Sequence, residues 1–134
     1  MSYKLSQRSL NRMAGKETGI PLHPDLYKVV RRAIEITPID FGVSEVGRTM
    51  DRQLMLYTRG DSTTLKSKHL RQDDGYSHAL DLYVLVDGKT SWEHKHFRPV
   101  VQAMFTAAIE LGVQIEAGCL WRSFQDSPHF QLKG

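Results

Sequence analysis

The chain has 134 residues, of which 40% are hydrophobic and 25% charged, and its formal net charge is +3 at pH 7. This length suits one domain with its own core, and we expect a single domain over residues 1–134. The small positive charge, without a Lys/Arg stripe and interleaved aromatics, predicts no nucleic-acid partner. No apolar run approaches the roughly 20 residues that span a bilayer, and the polar N-terminus has no signal-peptide core. We therefore expect no membrane insertion.

The first half of the chain predicts two helices around a short strand. Residues 1–20 are polar and indicate a short helix and a loop. A longer helix is expected from about Pro24 until Pro38 ends it, because apolar residues recur there with a helical period. Phe41–Val46 predicts a strand that closes at Gly47, and Met50–Tyr57 a helix. A polar loop follows.

The second half contains the clearest strand, Ala79–Val86. Alternation places Ala79, Asp81, Tyr83 and Leu85 on one face and the four intervening residues on the other. A turn at Asp87-Gly88, a helix over Pro99–Leu111, and strands at Val113–Ala117 and Pro128–Leu132 are expected next. Because helices and strands do not alternate regularly, the pattern favours an α+β fold with a small, mainly antiparallel sheet.

Asp81 is the unusual residue of this strand. A carboxylate in a buried apolar strand costs several kcal/mol unless it is paired or binds a metal. His69 precedes it in a polar loop, and His129 lies in the last predicted strand, where it shares a face with Gln131. Two imidazoles and one carboxylate form a three-ligand set typical of catalytic zinc, with Asp126 left as a possible general base.

Other residues compete for these roles. His78 is an alternative to His69, although strand alternation puts it on the face opposite Asp81. His94 and His96 imitate a ligand pair within a charged, exposed-looking segment, and Cys119 reads best as a buried, inert thiol. Arg48 is either a surface arginine or a bidentate clamp for a substrate carboxylate, with Gln53 supporting it.

Several short motifs, taken in order, resemble one known family. They are Ser67-Lys68-His69, Ala79-Leu80-Asp81 and Trp121 through Asp126-Ser127-Pro128-His129, together with the Val46–Thr49 segment VGRT. They resemble the Ser-x-His, Ala-x-Asp, Asp-x-x-His and Gly-x-Arg-Thr elements of the phage endolysin L-alanyl-D-glutamate peptidases. Those enzymes belong to the zinc superfamily that includes the D-alanyl-D-alanine carboxypeptidases, whose fold is hedgehog-like.

The resemblance implies a zinc metallopeptidase that acts on the peptidoglycan stem peptide. It implies that His69, Asp81 and His129 bind Zn²⁺ and that Asp126 is the catalytic base. It also implies substrate contacts from Arg48 and Ser67, and we include Gln53 with them. The chain is longer than compact relatives between His69 and Ala79, and it has Cys119-Leu120 where the family often has Gly-Asp.

Two other functions fit the same residues. One is a D-alanyl-D-alanine carboxypeptidase, which uses the same ligands, and the other is a non-catalytic cell-wall-binding or phage structural module. For the endolysin function we expect a monomer made in the host cytoplasm without a signal peptide. It would reach the cell wall through a membrane lesion made by another phage protein.

Overall fold

A computed structural model describes residues 2–120 and 128–134 of the chain. In these residues the helices are α1 (Gln7–Met13), α2 (Pro24–Ile36), α3 (Met50–Thr58) and α4 (His94–Leu111). The strands are β1 (Asp40–Glu45), β2 (Ala79–Val86), β3 (Lys89–Ser91), β4 (Ile115–Ala117) and β5 (His129–Leu132), and a 3₁₀ turn covers Gly118–Leu120. The predicted α+β class is confirmed.

One antiparallel sheet organises these elements, with strand order β1-β2-β5-β4 and β3 paired to the far end of β2. The alternation predicted for β2 holds, because Leu80, Leu82 and Val84 are completely buried while Asp81 and Tyr83 are not. The buried face joins the apolar faces of α2 and α4 in one hydrophobic cluster. Each buried side chain of this size stabilises the fold by about 1.5–3 kcal/mol. None of the described helices is both long and apolar enough to cross a membrane.

The short helix α1 covers the outer edge of the sheet. Ser9 Oγ accepts a hydrogen bond from the Val43 backbone N–H at 2.9 Å, and Arg12 donates to the Val43 carbonyl at 2.7 Å. These bonds satisfy backbone groups of β1 that would otherwise remain open to another strand. The polar N-terminal helix therefore completes the sheet on the side that leads to Glu45.

The predicted start of the last long helix at Pro99 is wrong. Helix α4 begins at His94, and Pro99 lies inside it. Pro99 is the sixth residue of this helix, beyond the first turn in which proline costs nothing, so α4 loses the intrahelical bond to the Lys95 carbonyl. His94 and His96 consequently lie in the first turn of a helix rather than in an irregular segment. The three-residue strand β3 follows the predicted Asp87-Gly88 turn, and no strand was expected there.

Gly47 lies where two segments approach too closely for a side chain. A Cβ at this position would be 2.5 Å from the Cβ of Ile20 and 2.7 Å from the Ile20 carbonyl oxygen. Backbone cannot yield as the end of a flexible side chain can. The contact holds Val46 and Arg48, the neighbours of Gly47, in place beside the polar end of the sheet.

Gly47→Ala should lower the free energy of unfolding by about 2–3 kcal/mol, because overpacking forces the backbone to move. Urea denaturation measures the change. Gly60→Ala is the matched control, since a Cβ there meets nothing within 4 Å and only the positive φ of 79° costs energy, about 1 kcal/mol. Equal losses in the two variants would show that the Gly47 contact is not rigid.

Candidate metal centre

Strand register places two carboxylates and one imidazole in a row across the sheet. Asp81 of β2 lies directly opposite His129 of β5 on one side and Glu45 of β1 on the other. The register of β1 shifts between Val43 and Glu45, so an irregularity in the ladder sets the position of Glu45. Residues opposite each other in an antiparallel pair have Cβ atoms about 5 Å apart. The fold thus joins residues 48 positions apart in sequence.

His69 reaches the same point from the loop that precedes β2. Its Nδ1 lies 2.7 Å from the Val46 carbonyl oxygen, and its own carbonyl accepts the Arg48 N–H at 2.9 Å. Ser67 Oγ accepts the His69 backbone N–H at 3.1 Å. The loop is therefore tied to the end of β1, and the His69 ring is directed at Asp81.

The three side chains meet closely and with little water around them. Asp81 Oδ1 lies 3.2 Å from His69 Nε2 and 3.1 Å from His129 Nδ1, and the ligand atoms of the set all lie within 4.8 Å of one another. Both imidazoles are buried. Burial raises the pKa of Asp81, but the hydrogen bonds and positive charge that His129 and His69 supply when their rings are protonated outweigh burial and hold that pKa well below its usual range.

In each histidine, the hydrogen bond made by the ring nitrogen farther from Asp81 decides whether the other nitrogen presents a proton or a lone pair to Asp81. The Val46 carbonyl can only accept, so a neutral His69 carries its proton on Nδ1 and presents a lone pair at Nε2. His129 Nε2 lies 2.9 Å from Gln131 Oε1, which likewise needs a proton on Nε2 and leaves a lone pair at Nδ1. When both rings are neutral, these two lone pairs and the Asp81 carboxylate therefore converge as three acceptors. Such a set fits a divalent cation, and two histidines with one carboxylate suit zinc.

A second group of the same residue types directs ring protons, rather than lone pairs, at its carboxylate. His23, Asp74 and His78 also lie close enough to hold a metal. However, His23 Nδ1 accepts the Asp25 N–H at 3.0 Å and caps α2, so the proton of a neutral ring is on Nε2, 3.6 Å from Asp74. His78 Nε2 lies 2.7 Å from the same carboxylate oxygen.

This second group therefore needs no metal, because ring protons can satisfy the carboxylate. Partial desolvation raises the pKa of Asp74, but hydrogen bonds from His78 and from the Tyr76 amide lower it below the usual range. The structure also places His78 away from Asp81, as strand alternation predicted. Of His69 and His78, the two candidates for this position, His69 is the one that meets Asp81.

Arg48 lies in the cleft beside the candidate metal centre, but its charge is already paired. Its Nε and Nη2 both contact the carboxylate of Glu45, and its Nη1 donates to Gln53 Oε1 at 2.8 Å. A guanidinium has five N–H groups, so Glu45 and Gln53 leave two of them unengaged. The fork that would clamp a substrate carboxylate is occupied by Glu45, a residue that the sequence pattern did not single out.

Gln53 and Ser67 occupy different positions from each other. Gln53 is completely buried, and its amide also donates to the Thr64 carbonyl at 2.6 Å and to Ser62 Oγ at 2.9 Å. It supports Arg48 and the loop rather than reaching the cleft. Ser67 lines the cleft next to His69.

The remaining expectations divide between described and undescribed residues. Asp126, the expected base, lies outside the described residues. Cys119 is buried, and burial raises the pKa of its thiol, in agreement with an inert side chain. His94 and His96 lie at the start of α4 and are not part of either His/Asp group. Glu116 and Gln131 were not predicted as site residues, although Gln131 shares the strand face of His129.

Three comparisons with known proteins all identify L-alanyl-D-glutamate peptidases as similar to this chain. The family profile described as phage L-alanyl-D-glutamate peptidase matches residues 1–132. The chain is similar to the L-alanyl-D-glutamate peptidase of Escherichia phage T5, with 31% identity over 137 aligned positions that cover 99% of this chain and 91% of the relative. It is also similar to the crystal structure of the Serratia marcescens L-Ala D-Glu endopeptidase ChiX. That match has a TM-score of 0.84 and 34% identity, and it covers 97% of this chain and 90% of the other.

Zinc should raise the melting temperature of the metal-free protein, and His69→Ala should abolish that rise. An ion that binds only the folded state stabilises it by about 4 kcal/mol at 1,000 times its dissociation constant. Thermal melts with and without zinc measure the effect. His78→Asn, the control in the second group, should keep the full zinc-induced shift. Loss of the shift in His78→Asn, together with its retention in His69→Ala, would contradict this prediction. The ion would then belong to the second group, which contains His78.

Proposed function

Since the chain belongs to the phage L-alanyl-D-glutamate peptidase family, we propose that it is a zinc-dependent peptidase that hydrolyses the L-alanyl-D-glutamate bond of peptidoglycan stem peptides. The observation that carries this proposal is the convergence of the ligand atoms of His69, Asp81 and His129 at the wall of an open cleft. Three protein ligands leave a coordination position for water or substrate, as catalytic zinc requires.

The cleft supports a peptide substrate. It has a volume of about 470 Å³ and contains the three ligands on one wall. A bound zinc ion would supply a Lewis acid for the scissile carbonyl and lower the pKa of water. Arg52 and Lys66 line the same cleft, and no described acidic residue forms an ion pair with either side chain. They add positive charge for a stem peptide that carries carboxylates.

The proposed chemistry assigns one task to each residue. Asp126 is the base that takes a proton from the attacking water and returns it to the leaving amine. Its position three residues before His129 and the family pattern support that role. Arg48, held by Glu45 and Gln53, offers its two remaining N–H groups to a carbonyl or carboxylate of the substrate. Ser67 orders the His69 loop and contacts substrate from the cleft wall.

The two alternative functions are less well supported. The family profile and both relatives carry the L-alanyl-D-glutamate activity in their names, which does not favour a D-alanyl-D-alanine carboxypeptidase. A non-catalytic module would not need three inward lone pairs. We further propose one catalytic unit that acts as a monomer on the cell wall, after release through a lesion made by another protein.

A defined muropeptide should yield a product ending in L-alanine and a free peptide beginning with D-glutamate. Mass spectrometry identifies the bond, since a carboxypeptidase would release only D-alanine.

Elemental analysis should find one zinc per chain, and chelation should stop hydrolysis until zinc is restored. Hydrolysis that persists in a zinc-free, chelated sample would refute the metallopeptidase.

Asp126→Ala should keep zinc and lose hydrolysis by about 10²–10⁴-fold, the usual contribution of a general base. His129→Ala should lose both zinc and hydrolysis, because it removes a ligand. Zinc content and turnover of the muropeptide are measured on the same samples. His96→Gln is the control, since His96 lies at the start of α4 outside the ligand set. Near-normal turnover in Asp126→Ala would move the base role to another residue.

A further inference from the structure

We propose that Glu116 and Gln131 are positioning residues that hold the His129 ring with its proton on Nε2, so that Nδ1 is directed as a lone pair at the metal. The metal-binding part of this proposal stands on the geometry of β4 and β5, and only its kinetic consequence rests on the proposed function.

The first step is the orientation of the Gln131 amide. Glu116 of β4 and Gln131 of β5 are directly opposite each other in the antiparallel pair, and Gln131 Nε2 lies 3.0 Å from Glu116 Oε2. An ionised carboxylate can only accept hydrogen bonds. The amide must therefore turn its NH₂ group to Glu116, because the opposite orientation would place two acceptor oxygens in contact.

The second step transfers this orientation to the imidazole. With its NH₂ group on Glu116, Gln131 presents Oε1 to His129 Nε2 at 2.9 Å. That contact is favourable only if Nε2 carries a proton. A neutral imidazole has one proton, so Nδ1 is left unprotonated, 3.1 Å from Asp81 Oδ1. A carboxylate on β4 thus determines the ligand atom that β5 presents.

The third step explains why this ligand needs such support. His69 is fixed by a backbone carbonyl, that of Val46, which no substitution of a side chain removes. His129 relies on the side chain of Gln131, whose β5 position is pinned between Ala79 of β2 and Glu116 of β4. Groups that orient a metal-binding histidine typically contribute 10- to 100-fold to metal affinity. His129 is therefore the ligand whose tautomer depends on side chains.

The test uses four variants that separate orientation from other roles. Gln131→Leu removes the acceptor, and Glu116→Gln removes the group that orients the amide. Gln131→Glu keeps an acceptor for His129 but places two carboxylates side by side. The double variant Gln131→Glu with Glu116→Gln reverses the pair, since the new carboxylate accepts from both His129 Nε2 and the new amide. We call the chain of hydrogen bonds from Glu116 through Gln131 to His129 the relay. The matched control is Gln114→Ala, because Gln114 directly precedes β4 and is not part of the relay.

Zinc affinity by chelator competition and the ¹⁵N signals of the His129 ring in zinc-free protein are the readouts. Gln131→Leu should weaken zinc binding by about 10- to 100-fold and mix the two His129 tautomers. Glu116→Gln should give a smaller loss, and the double variant should recover affinity to within a few-fold of wild type. If Gln131→Leu does not fold, the two variants that preserve size at position 131 complete the test.

Kinetics separate this role from direct substrate contact, because Gln131 also lines the cleft. Wild-type zinc affinity and a single His129 tautomer in Gln131→Leu, with only a raised KM, would overturn the proposal. So would a double variant that folds but binds zinc no better than Gln131→Leu. Zinc binding that follows the expected series without any peptidoglycan hydrolysis would support the relay and refute the proposed function instead.

Discussion

The three acceptor atoms that face one another when both imidazoles are neutral are the constraint on which this structure depends. Asp81 contributes a carboxylate oxygen, and the two histidines contribute lone pairs because their outer nitrogens are engaged elsewhere. In a site with buried imidazoles, that arrangement is unfavourable unless positive charge occupies the centre. The sheet register, the loop bonded to β1 and the Gln131–Glu116 pair all maintain this demand for a cation.

The molecule contains a natural comparison for that argument. His23, Asp74 and His78 have the same composition and similar closeness, yet His23 accepts a backbone N–H at its Nδ1 and so carries its proton toward the carboxylate. Residue identity and proximity therefore do not distinguish a metal centre from a hydrogen-bonded cluster. The partner of the second ring nitrogen does, because it decides whether a proton or a lone pair faces inward.

Electrostatics around the cleft follow a similar logic. Glu45 and Gln53 engage three of the five N–H groups of Arg48, which makes the arginine rigid and reduces its free charge. In the proposed peptidase, Arg48 would act as a positioned donor whose two remaining N–H groups favour one substrate orientation. Positive charge that would attract an anionic substrate lies instead on other basic side chains along the cleft, such as Arg52 and Lys66. The proposed function thus assigns orientation and attraction of the substrate to different residues.

The sequence by itself determined the α+β class, the helix α2, the strand β2 with its two faces, and the grouping of His69, Asp81 and His129, since local periodicity and short motifs encode them. Only the tertiary structure placed Glu45 beside Asp81, occupied Arg48 with Glu45, and connected Glu116 through Gln131 to His129. It also showed that α4 starts at His94, whereas the local sequence pattern had predicted a start at Pro99. These features depend on strand register and on which nitrogen carries a proton. Both are set by contacts between residues distant in sequence, which no local pattern contains.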